Sequence, residues 1–208
     1  MDKIKTLVLS GLVVSFMMVV SFAADKPAAK TPTTLENLQT AFNGESNAKV
    51  RYEAFSVKAD AEGYAGVAGF FRAAALSEGI HAARHAKAIE AMGGMPKAEP
   101  EALIVKSTKE NLKAALKDEN SESKKIYPAF VKQALVEKNN KAAMSFKGAM
   151  ATEVSHAKLC SQALAKLGDW KEKMKFIVCQ TCGYTTNDLS IKLCPVCSQP
   201  REQFTQVE

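Results

Sequence analysis

Outside residues 1–23 the sequence has no apolar run long enough to cross a membrane, so no second spanning segment is available. No arginine pair precedes the apolar run from Leu7 to Phe22, and no cysteine closely follows it. Those absences favour the general export route over twin-arginine export and leave no cysteine to carry a lipid there. Aromatic residues amount to 7% of the 208 positions, and the lysines are scattered through polar stretches rather than clustered with them. The chain therefore offers no basic, aromatic-studded face for nucleic acid, and its charge reads as solvated surface. Cysteine is equally sparse: Cys160 stands alone, and the other four fall within residues 179–197.

What the N-terminus does carry is Lys3, Lys5, the apolar run and the small-residue pattern "SFA" before Ala24. That order is the pattern of a secretory signal. Cleavage is expected after Ala23, giving an exported, periplasmic chain without a membrane span. The alternative is an uncleaved anchor, because the run is close to the shortest spanning length. Losing Asp2, Lys3 and Lys5 lowers the formal charge from +6 to +5. About 185 residues remain, enough for one good core and a small appendage.

Residues 24–33, "ADKPAAKTPT", form a Pro- and Ala-rich tether with no periodic apolar face. Thr33 with Glu36 makes a capping box, and helical periodicity follows to about Ala61. "EGY" breaks it, and a second helix runs from Ala65 to Met92, ending at Gly93 and Gly94, which tolerate a left-handed cap. A crossover with two prolines, residues 95–106, leads to a second capping box, Ser107 with Glu110. The third helix continues to about Lys138 with a kink expected at Tyr127 and Pro128. A turn at Asn139 and Asn140 opens the fourth, from Lys141 to Leu167, closed by Gly168. Two helical hairpins joined by one long crossover predict an all-α, ferritin-like four-helix bundle over 34–168. A separate Cys-rich domain follows at 174–208.

The stretch "SEGIHAARH" sets Glu78 and His81 three apart, one turn along a helix face, and "TEVSH" repeats the pattern with Glu153 and His156. The first helix offers Glu45 and the third offers Glu119 and Glu122. In an antiparallel hairpin, residues at one height are symmetric about the turn. Glu45 and Glu78 are symmetric about 61.5, Glu45 and His81 about 63, and Glu119 with His156, or Glu122 with Glu153, about 137.5. Each centre falls at or within about a turn of a predicted chain reversal, so all four helices can bring ligands to one layer. Buried together, these groups need a cation to offset their desolvation. One Glu from each of two helices with Glu-x-x-His from each of the others is the ligand set of dinuclear carboxylate bundles. Carboxylate oxygens with one imidazole per metal suit iron or manganese.

The tail "CQTCGYTTNDLSIKLCPVC" carries two Cys-x-x-Cys knuckles, Cys179 with Cys182 and Cys194 with Cys197. Four thiolates at this spacing form a tetrahedral metal site, with zinc or iron as occupant, and two disulfides are the alternative in an oxidising compartment. A domain this small needs its cross-link or metal to fold.

A di-iron bundle followed by such a tail resembles the rubrerythrin family over essentially all of residues 34–204. The resemblance rests on "FNGESNAKVRYEAF", "FFRAAALSEGIHAARH", "NLKAALKDENSESKKIYPAF", "TEVSHAK" and the tail, where Gly183, Tyr184 and Pro195 look like rubredoxin. It implies Glu45, Glu78, Glu119 and Glu153 as core carboxylates, with Glu78 and Glu153 bridging two irons and His156 on the second. Glu122 and His81 would exchange as ligands of the first iron. Tyr52 and Tyr127 would donate hydrogen bonds to ligand carboxylates. By the same resemblance the tail tetrad holds one redox-active iron.

The implied activity is reduction of hydrogen peroxide to water in oxidative-stress defence, with a one-electron donor protein feeding the tail. The rivals are an iron-oxidising or storage bundle, and a non-enzymatic docking module with a zinc-loaded tail. Among residues outside the ligand set, His85 reads as a polar neighbour or a surface histidine, Cys160 as a buried inert thiol, and Trp170 as packing between tail and bundle. From His156 the fourth helix runs about twelve more residues, roughly 18 Å, before the short linker "DWKEKMK". The tail iron is therefore expected far from its own bundle site, and a head-to-tail homodimer is expected to bring each tail to its neighbour.

Overall fold

The structure, a computed structural model, describes residues 31–208; the signal segment and residues 24–30 of the tether lie outside them. The bundle is built from α1 (Thr34–Ala61), α2 (Ala65–Glu90), a third member made of α3 (Thr108–Ser121) and α4 (Tyr127–Val136), and α5 (Asn140–Ala165). Both capping boxes are present: Thr33 and Ser107 accept from the backbone N–H groups of Glu36 and Glu110, whose carboxylates accept in return from the capping residues. The α2 end is closed by Gly93 at φ +76°, with the Gly94 N–H bonded to the Ile89 carbonyl at 3.0 Å. No helix among the described residues is long and apolar enough to cross a membrane.

The third member carries a backbone irregularity close to the kink expected at Tyr127 and Pro128. A π-helical turn, Glu122–Ile126, lies immediately before it, and the Tyr127 N–H reaches back to the Glu122 carbonyl, five residues earlier. Pro128 has no N–H to give to the preceding turn and its ring crowds the carbonyl four residues back; the inserted residue relieves both conflicts. It also changes the phase of the helix between Glu119 and Tyr127, which positions the site described below.

The crossover is pinned by a row of amides on α1 at four-residue intervals. The Gln39 amide donates to the Lys97 carbonyl, Asn43 accepts from the Glu99 N–H at 2.6 Å, and Asn47 spans the Glu99 carbonyl at 2.9 Å and the Glu101 N–H at 3.0 Å. Side-chain amides here do what a neighbouring strand would do, satisfying extended backbone without a sheet.

The tail is a three-stranded antiparallel sheet of order β2-β1-β3, with β1 Phe176–Cys179, β2 Thr185–Thr186 and β3 Phe204–Val207. Its placement corrects the expectation that it lies far from its own bundle. A 3-10 turn, Leu167–Lys171, reverses the chain, and the linker and β1 then run back along α2. That approach depends on small residues. A Cβ on Gly66 would stand 2.7 Å from the Glu172 carbonyl oxygen, and one on Gly69 would stand 3.3 Å from that of Met174. Trp170 packs as expected, between Phe70 of α2 at 6.3 Å and Phe176 of β1 at 6.0 Å between ring centroids.

Gly66→Val is therefore expected to lift the linker from α2, destabilising the chain by about 1–3 kcal/mol through overpacking against backbone. Limited trypsin digestion checks this: cleavage at Lys171, Lys173 and Lys175 should accelerate in the variant. Wild-type protection there would show that the linker does not lie on α2.

Candidate metal centre

Each helix contributes to one buried layer. Glu45 of α1, Glu78 and His81 of α2, Glu119 of α3, and Glu153 and His156 of α5 are all 2% exposed or less. Their ligand atoms fall into two groups sharing Glu78 and Glu153: one with Glu45 and His81, the other with Glu119 and His156. The shared carboxylates divide their oxygens. Glu78 Oε2 is 2.9 Å from His81 Nδ1 and its Oε1 is 3.2 Å from His156 Nδ1; Glu153 Oε1 and Oε2 stand at 3.1 and 3.0 Å from the same two nitrogens. A carboxylate shared this way spans two metals, while Glu45 and Glu119, at 3.7 and 3.6 Å from the two imidazoles, each sit on one side.

The residues fit a pair of divalent cations. Glu45 Oε2, Glu119 Oε2, both oxygens of Glu153 and His156 Nδ1 are buried with no aligned hydrogen-bond partner, which a folded protein tolerates where an ion completes the group. Four carboxylates in one layer carry the charge that two such cations neutralise. Without them the layer is electrostatically strained. Burial, then Glu78 and Glu153, push Glu45 up to about 8. Burial pulls the imidazoles of His81 and His156 down, but the surrounding carboxylates outweigh it and hold both well above the usual histidine range. Those imidazoles in turn outweigh burial at Glu78 and lower it.

Aromatic groups line the layer. The Tyr52 hydroxyl donates to Glu119 and the Tyr127 hydroxyl to Glu45, the two hydrogen bonds implied for these tyrosines. Glu122 stands apart. It belongs to neither ligand group and is half-buried beside a cavity of about 300 Å³ lined also by Gly44, Arg51 and Asp118. The structure thus brings His81 to the first group and leaves its implied exchange partner outside, on the first residue of the π turn. His85 is fully buried, bonded to the Tyr127 hydroxyl at 3.2 Å and the Ser145 hydroxyl at 2.9 Å, so it orients a tyrosine rather than facing solvent. Cys160 is fully buried, and desolvation raises its thiol well above the usual range, as befits an inert thiol.

The tail tetrad is also assembled. All four thiols are free, with Cys179 and Cys197, and Cys182 and Cys194, 3.5 Å apart between sulfurs. That is the edge of a tetrahedron of thiolates around one metal and not a disulfide bond. The first knuckle faces the bundle. Three successive carbonyls in it accept from three residues on one face of α2: Thr181 from Arg84 at 2.6 Å, Cys182 from His81 Nε2 at 3.0 Å, and Gly183 from Ser77 at 2.8 Å. Gly183, at φ +84°, permits this contact, since a Cβ there would stand 2.5 Å from His81 Nε2. Thr152 adds a bond to the Cys182 carbonyl at 3.2 Å, and Thr185 lies 3.3 Å from His156 Nε2. None of Ser77, Arg84, Thr152 and Thr185 carries a motif of its own. Their signal in the sequence is a stripe on α2, Gly66, Gly69, Ala73, Ser77, His81 and Arg84, whose small first half invites a close neighbour.

With the tail on its own bundle, both sites are completed within one chain, and the distance argument for a neighbour's tail no longer holds.

Comparison with known proteins agrees with this geometry. The family model described as Rubrerythrin matches residues 36–164. Nigerythrin of Nitratidesulfovibrio vulgaris is 34% identical over 174 residues, 83% of this chain and 86% of the relative. A rubrerythrin of Porphyromonas gingivalis is 37% identical over 182 residues, 84% and 90% of the two chains. Among solved structures, nigerythrin in its fully reduced, all-ferrous state superposes with a TM-score of 0.80 at 32% identity, covering 88% of this chain and 91% of that one. A bacterioferritin of Desulfovibrio desulfuricans, 20% identical with a TM-score of 0.61, shares the bundle fold alone. The paired carboxylate and histidine groups are accordingly a di-iron site, and the tetrad a rubredoxin-like iron site. A family match across the bundle and relatives aligned over more than four-fifths of its length show that this chain belongs to the rubrerythrin family.

Proposed function

We propose that the chain reduces hydrogen peroxide to two waters, taking up two electrons and two protons per peroxide, as part of oxidative-stress defence. When bound, the iron pair supplies the two electrons that break the O–O bond, and the tail iron supplies their replacements singly. The protein's own part is positioning. Tyr52 and Tyr127 hold the carboxylates of Glu119 and Glu45 by their hydroxyl protons, and the aromatic shell of Phe70, Phe71 and Phe146 keeps bulk water away. The cavity beside Glu122 is polar and of a size for a small substrate, and Gly44 puts no side chain into it. Glu122 can approach the first ligand group from there, which suits an exchange with His81 between oxidation states.

One observation carries the reading. The His81 imidazole faces the bundle ligands with Nδ1 and the Cys182 carbonyl with Nε2, so a single ring joins the two metal sites. Iron storage has no use for that link, and a docking module has no use for a metal knuckle turned inward. The donor then meets the second knuckle, where Cys197 is partly exposed. The N-terminal signal adds that the reduction takes place outside the cytoplasm; a mature N-terminus other than Ala24 on the exported protein would remove the cleavage reading.

Glu78→Ala and Glu153→Ala are each expected to lose the bundle irons and peroxide turnover while the tail keeps its visible ferric-thiolate absorption. Either variant holding two bundle irons with normal turnover would overturn the bridging assignment.

The relay is expected to run within one chain. Glu78→Ala and Cys182→Ser chains, unfolded together and refolded as a mixture, should recover no donor-driven turnover, because neither pairs an intact bundle with its own intact tail. Recovery approaching a quarter of wild type, the share expected when half the dimers are mixed and each has one intact bundle beside one intact tail, would instead assign each tail to a neighbouring bundle.

A further inference from the structure

One tail contact reaches the other histidine. Thr185, on β2, and His156, on α5, are both fully buried, and the Thr185 hydroxyl lies 3.3 Å from His156 Nε2. A hydroxyl has one proton to give. That of Thr185 is committed to the Gly183 carbonyl, at 2.9 Å. Its oxygen therefore faces His156 as an acceptor, and Nε2 must be the nitrogen that carries hydrogen. In the neutral imidazole that binds a metal, Nδ1 is then the lone-pair nitrogen, and it is the atom within 3.6 Å of Glu153, Glu78 and Glu119.

We propose that Thr185 is a positioning residue for the second metal site: reaching from the tail, it selects the His156 tautomer and holds the ring so that Nδ1 faces the shared carboxylates. The bundle site is thus finished by a residue outside the bundle. Thr185 is placed by its pairing with Val178 on β1, and β1 is placed by Phe176 against Phe70 and by the close approach at Gly69. The Gly183 carbonyl that fixes the Thr185 proton is itself held by Ser77 of α2. Docking of the tail, the tautomer of His156 and affinity for the second metal become one linked equilibrium. The inference rests on the metal-site reading above but not on peroxide as substrate.

The test is anaerobic Fe(II) titration of the full-length chain against a competing chelator, comparing wild type with Thr185→Val and Thr185→Ser. Valine keeps the shape and removes the acceptor; serine keeps the acceptor. Thr185→Val is expected to weaken one of the two bundle sites by about 10–100-fold, the usual effect of removing an outer-shell partner. Thr185→Ser should bind like wild type, and tail absorption should be unchanged in all three. Wild-type affinity at both bundle sites in Thr185→Val would overturn the proposal. So would a Thr185→Ser chain as weak as the valine variant, since packing and not the hydroxyl would then be responsible. Should Thr185→Val fail to fold, the zinc-loaded wild-type chain, which is diamagnetic, decides by NMR. A cross-relaxation peak between the His156 Nε2 proton and Thr185 supports the contact, and its absence in the loaded chain overturns it.

Discussion

Four carboxylates cannot be buried in one layer of a helical bundle without positive charge among them, and the rest of this structure is arranged around that constraint. The layer divides the apolar interior. On one side lie Tyr52, Phe55, Phe70, Phe71 and Trp170, and on the other Leu38, Ile89, Tyr127 and Phe146. Hydrophobic burial in these two clusters supplies the folding drive that the layer lacks, since each uncompensated charge costs several kcal/mol. The tyrosines belong to both worlds: their rings pack in the clusters while their hydroxyls answer one carboxylate each. The ligands are consequently held by a shell that is itself part of the apolar core.

The π turn marks where the same constraint is relaxed. Glu119 precedes it on regular helix and is buried, whereas Glu122 opens it and is half-buried at the cavity. Burial and the neighbouring Glu45 raise the Glu122 carboxyl well above its usual range, so a metal must replace the proton before this group can join the layer. A wider turn interrupts the regular backbone bonding of the helix, and it carries Glu122, the implied exchange partner of His81 that stands outside both ligand groups. Pro128 makes the bulge permanent by denying the preceding turn its hydrogen bond.

The layer was legible before the fold was seen because it is periodic. Glu78 and His81, and Glu153 and His156, share a helix face by spacing alone, and the symmetry of positions 45 and 78 about the α1–α2 turn holds because both helices rise equally per residue. Capping boxes at Thr33 and Ser107 likewise act through residues three apart. What could not be read was anything resting on backbone carbonyls meeting side chains across the fold. Linker length alone argued that the tail would stand away from its own bundle. The opposing information lay in Gly66 and Gly69, whose missing side chains matter only once the path of the linker is known. His85 reads from sequence as no ligand, but the partners that bury it, Tyr127 and Ser145, lie 42 and 60 residues away and carry no local signal.

The docked tail has a consequence for how electrons reach the bundle. Lifting it would exchange the bonds from Ser77, His81 and Arg84 for bonds to water, at about 0.5–1.5 kcal/mol each. It would also expose Phe176 and Trp170, at about 1.5–3 kcal/mol for each large apolar side chain. Together these exceed thermal energy severalfold, so the tail is not a swinging carrier. The inward knuckle lies against His81, with Cys179 and Cys182 buried, while the outward knuckle keeps Cys197 partly exposed. On the relay proposed above, electrons cross from tail to bundle through a fixed contact, and the step left to diffusion is the arrival of a donor at the outward knuckle.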